Sequence, residues 1–237
     1  MDTFGRNASL GTYDSLASEY YVAERHPTCA ALRQASSLAL RDFLKADRPS
    51  GRWCEVGAGK SLLLEEAKDL SIRFESPVVV IDSSRAMLMN TPRDLIASAD
   101  PLLGDAHRLP LRSSVFAGIA VSLGDPFNGT RLWAELARVA LKGCRVCFTV
   151  PDYEWAVTYR QLEGSPSDVA RFVLDSGEIV DLESIITSEP AQTEVAAQAG
   201  FIIEKVEHVA VSRLATPPPP KLRVASDALT AYWFRKA

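Results

Sequence analysis

Apolar and polar positions alternate along this chain in two different rhythms. Between residues 28 and 45, Leu32, Ala35, Ala39 and Phe43 fall on one stripe with Leu40 and Leu44 beside it, which predicts a helix. ADRPSG at 46–51 then breaks it. From Arg52 the rhythm becomes strand, loop, helix, strand. RWCEV predicts a short strand, SLLLEEAKDL a helix, PVVVID a buried β-branched strand and SRAMLMN a second helix. DPLLGDA is a weaker strand and VFAGIAVSL a strong one. TRLWAELARVAL is an amphipathic helix with Leu132, Leu136, Val139 and Ala140 on one face, and GCRVCFTV is a fifth strand. Strands alternating with helices predict an α/β fold around a parallel sheet. After Val150, ARFVLDSGEIVDLES reads as a hairpin turning near DSG. AQTEVAAQAGF reads as a short helix ending at Gly200, and IIEKVEHVAV and ALTAYWFRK as two late strands. The proline run TPPPPK at 216–221 between them predicts a stiff extended segment, read as a surface loop, with a ligand for a partner domain as the alternative.

Bulk properties narrow the classes. The chain has 237 residues, 47% of them hydrophobic, a net charge of −4 and a pI near 5.5. That size suits one large domain, and the charge gives no bulk attraction to nucleic acid. The start MDTFGRNASLGTYDS has no apolar stretch of signal-peptide length, and no run suits a membrane span, so a cytoplasmic protein is expected. Cys144 and Cys147 form a C-x-x-C, but in a strand positions three apart face opposite ways. No second pair and no nearby histidine completes a zinc set, so core cysteines and no metal site are expected.

The chemistry concentrates at CEVGAGKS, residues 54–61. Its ending resembles a phosphate-binding P-loop, but the position that needs the first glycine is Cys54. A dinucleotide fingerprint starting at Gly57 needs glycine at 62, and the chain has Leu62. The stretch is instead E-x-G-x-G, with Glu55 two positions before Gly57. Asp82 ends the second strand and Asp105 follows the third, so all three acids gather at the carboxyl edge of the sheet, where open α/β sheets bind ligands. Gly57 and Gly59 permit close backbone approach. Asp82 can accept two ribose hydroxyls, Asp105 an adenine amino proton, and Glu55 can support an ammonium group. So many carboxylates suit a cationic nucleoside better than a phosphate.

CEVGAGKS, VVVIDSSRAML, GDAHRLPLRSSVFAGI and the opening YDSLASEYY together resemble the class I S-adenosylmethionine-dependent methyltransferases, over roughly residues 12–152. The resemblance implies a Rossmann-like, mostly parallel sheet of seven strands with the last antiparallel and helices on both faces. It implies a helical cap over residues 1–48, a core over 49–237, and a hairpin lid inserted at about 155–188. It implies S-adenosylmethionine as cofactor, S-adenosylhomocysteine as product, and a cofactor site of Glu55, Gly57, Gly59, Asp82, Ser83, Asp105, Ala106, Ser122 and Leu123. The family often carries glycine where this chain has Ser61, which is small and able to cap the next helix.

VSLGDPFNG, at 121–129, stands where the family holds the methyl group, and DPFN is similar to the D-P-P-Y motif of enzymes that methylate nucleobase amino groups. Asp125 is therefore expected to orient or deprotonate an acceptor, with Phe127 as platform and Asn128 beside it. The competing reading is a helix-capping turn with Phe127 in the core. Tyr153, Trp155 and Tyr21 are candidates to line the acceptor pocket, the alternative for Tyr153 and Trp155 being to pack the lid. Tyr20, Tyr21, Arg25 and His26 are expected to close over the cofactor, with Arg25 or a tyrosine reaching its carboxylate; the alternative is a solvated helix face. His107 and Arg108 read as loop surface, and EEAK at 65–68 as a solvated helix face. A small-molecule acceptor is expected. A nucleic-acid acceptor, a non-catalytic scaffold and a nucleotide hydrolase built on GKS stay open as alternatives.

Overall fold

A computed structural model describes residues 13–215 and 217–237. Helix α1 (Pro27–Ala46) precedes strand β1 (Trp53–Val56), α2 (Leu62–Asp69), β2 (Val78–Asp82), the short α3 (Arg85–Leu88) and α4 (Arg93–Ile96), β3 (Ala99–Leu103) and β4 (Phe116–Val121). A 3₁₀ turn at Asp125–Phe127 leads to α5 (Thr130–Val139), β5 (Ala140–Pro151) and α6 (Tyr153–Glu163). The hairpin β6 (Val169–Val173) and β7 (Ile179–Glu183) follows, then α7 (Glu189–Gln198), β8 (Phe201–Ala210) and β9 (Asp227–Lys236).

Seven strands form one sheet in the order β3-β2-β1-β4-β5-β9-β8, and β6–β7 stands apart as its own two-stranded unit. The first five strands are parallel, and β9 runs antiparallel to both β5 and β8. The strand order reverses between β1 and β4. In open α/β sheets that switch point is where a crevice forms.

Strand periodicity sorts the side chains into two layers. Val56, Val79, Ile81, Ile119, Val146 and Phe148 join α5 and α7 in the larger core. Trp53, Val78, Val80, Ala120 and Cys147 face α1 and α2. At the centre of the larger layer Trp133 is fully buried, with ring centroids 4.9 Å from Phe234 and 5.2 Å from Phe148. Helix α1 also covers β8 and β9 through Ala31, Leu32, Ala35, Val209 and Leu229.

Two sequence expectations change here. EEAK is not a solvated face. Glu66 is only 4% exposed, because Arg41 Nε donates to it at 2.7 Å and Ser37 hydroxyl also donates to it, while Ala67 is buried. Helix α2 is sandwiched between the sheet and α1, so two of the four positions turn inward. The other change is α6, which occupies the start of the expected lid. Asp152 caps it, accepting the Trp155 N–H at 2.9 Å, and Gly164 at φ 64 ends it. Only Ala156 in that helix is buried, so the apolar stripe that reveals a helix in a sequence is missing.

Cys144 belongs to one core layer and Cys147 to the other, both about 1% exposed. Neither should react with a thiol reagent while the chain is folded, and both should react once it is unfolded. Peptide mass mapping after brief labelling checks this; rapid labelling of either in the native protein would contradict the buried strand.

Candidate functional site

The site begins with Glu55. It is fully buried, and its carboxylate sits beneath the glycine loop at the start of α2. It accepts the Leu62 and Leu63 N–H groups at 3.1 and 3.2 Å, and the Ser61 hydroxyl donates to it as well. Ser61 caps α2, its oxygen accepting the Leu64 N–H at 3.2 Å. Glu55 therefore supports the loop from below, rather than presenting its oxygens to the cleft. Burial raises its carboxyl to about 7, against the opposing pull of Ser61, the two amides and Arg33.

The loop above is held at four successive amides, from Ala58 to Ser61. The Ala58 N–H goes to Ile81 O at 2.8 Å, Gly59 N–H to Asp82 Oδ2 at 2.8 Å, and Lys60 N–H to the Tyr21 hydroxyl at 2.7 Å. Ser61 N–H goes to Thr91 Oγ1 at 3.1 Å. No row of free N–H groups remains to wrap a phosphate, and Lys60 Nζ pairs with Glu65 at 2.9 Å. The GKS ending therefore lacks the local geometry of a P-loop. Gly57 and Gly59 both take positive φ, 67° and 46°. A Cβ on Gly57 would lie 2.2 Å from the Phe127 ring, and one on Gly59 2.2 Å from the Tyr21 hydroxyl. Two aromatic side chains thus rest directly on the glycine loop.

Asp82 ends β2, with its second oxygen accepting the Ser84 N–H at 2.8 Å. Burial raises its pKa, and the amides of Ser84, Gly59 and Ser83 oppose that. Ser83 itself is exposed. Asp105 is nearly half exposed, accepts the His107 N–H at 2.8 Å, and is followed by buried Ala106. His107 also reaches the Phe127 carbonyl at 3.0 Å, tying the β3 loop to the 3₁₀ turn rather than lying free on the surface. Ser122 and Leu123 leave β4, and Leu123 takes φ 53°, held by its N–H on Thr149 Oγ1 at 2.9 Å. A β-branch-free but bulky residue in that region marks a backbone under constraint.

Asp125 is buried at 8% exposure. Ser184, just past β7, donates to Asp125 Oδ2 at 2.5 Å, and Arg160 of α6 donates to Ser184 Oγ at 2.7 Å. Burial lifts Asp125 to about 6, opposed by Ser184 and Arg160. Burial raises the Tyr13 phenol well above its usual value, and the charges of Asp125 and Asp82 add to that. Asp82, Tyr21 and Phe127 are thereby brought together around the loop, with Asp125 in the same turn as Phe127.

Other expected residues have different neighbours. Asn128 is saturated inside the core: its amide donates to Ile185 O at 3.1 Å and Gln192 at 2.7 Å and accepts from Trp133 at 3.3 Å. Trp155 donates to Lys221 O at 2.7 Å and stacks on Tyr159, which fastens the proline segment to α6. Tyr153 is partly buried at the first turn of α6. Arg25 pairs with Asp175 at the hairpin tip, and Tyr20 and His26 lie against Phe172, so this part of the cap meets the hairpin. Ser184, Arg160 and Arg33 were not singled out from the sequence. Nothing local marks them, because each acquires its role from an element remote in the chain.

No family model and no curated protein matches the chain. Solved structures do. A Thermotoga maritima SAM-dependent methyltransferase, described as a possible histamine N-methyltransferase, superposes with TM-score 0.63 at 18% identity, covering 97% of this chain and 100% of that one. The DhpI–SAM–HEP complex matches with TM-score 0.64 at 19% identity over 99% of both chains. The glycopeptide N-methyltransferase MtfA, bound to S-adenosylhomocysteine, matches with TM-score 0.55 at 14% identity over 85% of this chain and 87% of that one. The fold is that of class I S-adenosylmethionine-dependent methyltransferases. Among the described residues no helix is long and apolar enough to cross a membrane and no cluster of side chains would hold a metal ion.

The buried carboxylates make stability depend on pH. Glu55 moves from an ordinary 4.5 to about 7 on folding, and Asp125 from 3.8 to about 6. In those intervals the folded chain binds more protons than the unfolded one, so stability should fall as pH rises through them. Urea denaturation at about pH 5 and about pH 7.5 reads the slope. Glu55→Gln and Asp125→Asn should each flatten it, and a slope of opposite sign would contradict the burial argument.

Proposed function

We propose that this chain transfers a methyl group from S-adenosylmethionine to a small or medium-sized acceptor. The observation that carries the reading is the glycine loop: its amides are committed internally while carboxylates stand at the strand ends around it. That donor set fits a cationic, phosphate-free nucleoside and not a nucleotide. The fold shared with solved methyltransferases supports the same reading.

In this reading Asp82 faces the ribose and Asp105 the adenine edge. Gly57 and Gly59 with Ser83, Ala106, Ser122 and Leu123 form the rest of the cofactor wall. The bound cofactor supplies an activated methyl group on a sulfonium. The protein's task is then alignment and exclusion of water. Residues 13–48 act as a cap (residues 1–12 of the expected cap lie outside the described residues) and the β6–β7 hairpin as a lid, and the contacts of Tyr20 and His26 with Phe172 favour their acting jointly. Asp125, held on one oxygen by Ser184, takes a proton from the acceptor; a carboxyl near 6 accepts protons at neutral pH. Phe127 and Tyr21 close over the loop, and Tyr153 flanks the acceptor side.

A nitrogen acceptor is favoured over oxygen. A carboxylate of this strength matches a weakly basic nitrogen better than a hydroxyl, and two structural neighbours are described as N-methyltransferases, one as a possible one. A nucleobase in nucleic acid is disfavoured, because Asn128 has no free amide group to hold a base and the chain carries a net charge of −4.

Calorimetry tests the reading. S-adenosylhomocysteine should bind in the micromolar range, and ATP with magnesium should not. Asp82→Ala should weaken S-adenosylhomocysteine by about 2 kcal/mol, roughly 30-fold, in a variant whose circular dichroism is unchanged. Binding of ATP alone would overturn the assignment, and unchanged affinity in Asp82→Ala would displace Asp82 from the ribose.

A further inference from the structure

One buried carboxylate receives its counter-charge through a serine rather than directly. Asp125 is 8% exposed and lies in the 3₁₀ turn after β4. Its Oδ2 accepts from the hydroxyl of Ser184, the first residue past β7, at 2.5 Å, and its backbone carbonyl accepts the Ile185 N–H at 2.8 Å. Its Oδ1 takes no hydrogen bond from another described residue. Ser184 is 2% exposed, and its oxygen accepts in turn from Arg160 of α6 at 2.7 Å. Arg160 also donates to the carbonyls of Ser184, at 3.0 Å, and of Ser167. Among the described residues no carboxylate forms an ion pair with Arg160, although the charges of Asp125 and Asp168 both act on it.

This chain of donors has one possible direction. A guanidinium only donates, so the Ser184 oxygen receives Arg160 and its single proton is left for Asp125. A donor aimed at a carboxylate favours the charged form, whereas burial favours the neutral one. Both act on Asp125: burial pushes it up to about 6, and Ser184, its own backbone amide and the charge of Arg160 hold it from going higher. The other titratable groups that sense Asp125 are Tyr13 and Tyr20 of the cap and Cys29 of α1. Burial raises the proton affinity of all three, and the Asp125 charge pushes the same way. Arg160 therefore brings the positive charge to this carboxylate, and its two carbonyl bonds fasten it independently of the serine hydroxyl.

Resting on the proposed function, we infer that Ser184 and Arg160 are positioning residues for the acceptor base: they hold Asp125 ionised and fixed by Oδ2, leaving Oδ1 as the oxygen that takes the acceptor's proton. The step is a single proton transfer from the acceptor nitrogen to Oδ1, and no proton leaves Ser184 or Arg160. A carboxyl that burial alone kept neutral would have no charge with which to take that proton. The base is thus assembled from three elements remote in the chain: the turn after β4, helix α6 and the end of the hairpin.

The test reads the titration of Asp125 itself. Carboxyl-carbon NMR of the full chain, isotope-labelled at aspartate, gives its midpoint, and Asp125→Asn identifies the resonance by its loss. Ser184→Ala should raise the midpoint by about one pH unit, the scale of one hydrogen bond to a charged group. Arg160→Gln, which keeps a donor and removes the charge, should raise it as well. Arg160→Lys should recover part of that rise, and Ser184→Thr, which keeps the hydroxyl, should stay near the unaltered chain. The two positions are independent, so one variant with unchanged circular dichroism decides. A merely structural role would lower stability and leave the midpoint in place; that result, or a midpoint that falls, overturns the inference. S-Adenosylhomocysteine binding by the unaltered chain is measured alongside. If it binds and the midpoints do not move, the positioning role is wrong while the cofactor reading stands. If it does not bind, the proposed function fails and the role of Asp125 as base with it.

Discussion

The site depends on a carboxylate that no solvent reaches. Glu55 is the third residue of a four-residue strand that is buried throughout, and it answers the first amides of α2 from below. A helix start normally leaves several N–H groups without partners. Here Glu55 and Ser61 supply them, which pulls α2 close under the loop and leaves the loop no slack. Burying an acid is costly unless it is hydrogen-bonded, and this one has three donors. The same arrangement decides what the loop is suited to hold. A P-loop keeps its amides for a ligand's phosphates, whereas this one has given them to the protein. A ligand at this edge meets carboxylates and rings instead.

Much of this was legible in the sequence because it is local. The E-x-G-x-G spacing, the apolar β-branched run ending in Asp82, and Ser61 ahead of an apolar helix each carry their meaning within a few residues, and the order of strands follows from their alternation with helices. The hairpin was legible for the same reason: DSG between two β-prone runs. What escaped depends on pairing across the chain. Glu66 reads as solvated until α1 lies over it. Helix α6 has a capping Asp152 and a terminating Gly164 but no apolar stripe, since it packs largely through Trp155 and Arg160. Arg33 is one more polar residue on a helix until α2 brings Glu65 and Lys60 to it, and Ser184 is anonymous until β7 ends beside Asp125. The similarity of DPFN to a base-holding motif is of the opposite kind. Its residue types are in place, but Asn128 turns inward to Trp133 and Gln192, which a string of letters does not reveal.

Charge is distributed here by layers of commitment. Asp82 is held by protein donors on both oxygens and Asp125 on one, so their geometry is fixed ahead of any ligand, and preorganised groups need not rearrange at the moment of reaction. Arg33 and Lys60 are held more lightly, by a glutamate that is partly exposed.

The cap and the hairpin come from opposite halves of the chain, yet they touch each other: Tyr20 and His26 lie on Phe172, Glu19 accepts the Asp175 N–H at 3.0 Å, and Arg25 pairs with Asp175. The hairpin's other end is tethered at Asp125 through Ser184 and Ile185. The two segments are therefore tied to each other at their tips and to the 3₁₀ turn at one end. Under the proposed function cofactor and acceptor would then share one route, and a change that loosens these contacts would alter the residence of both.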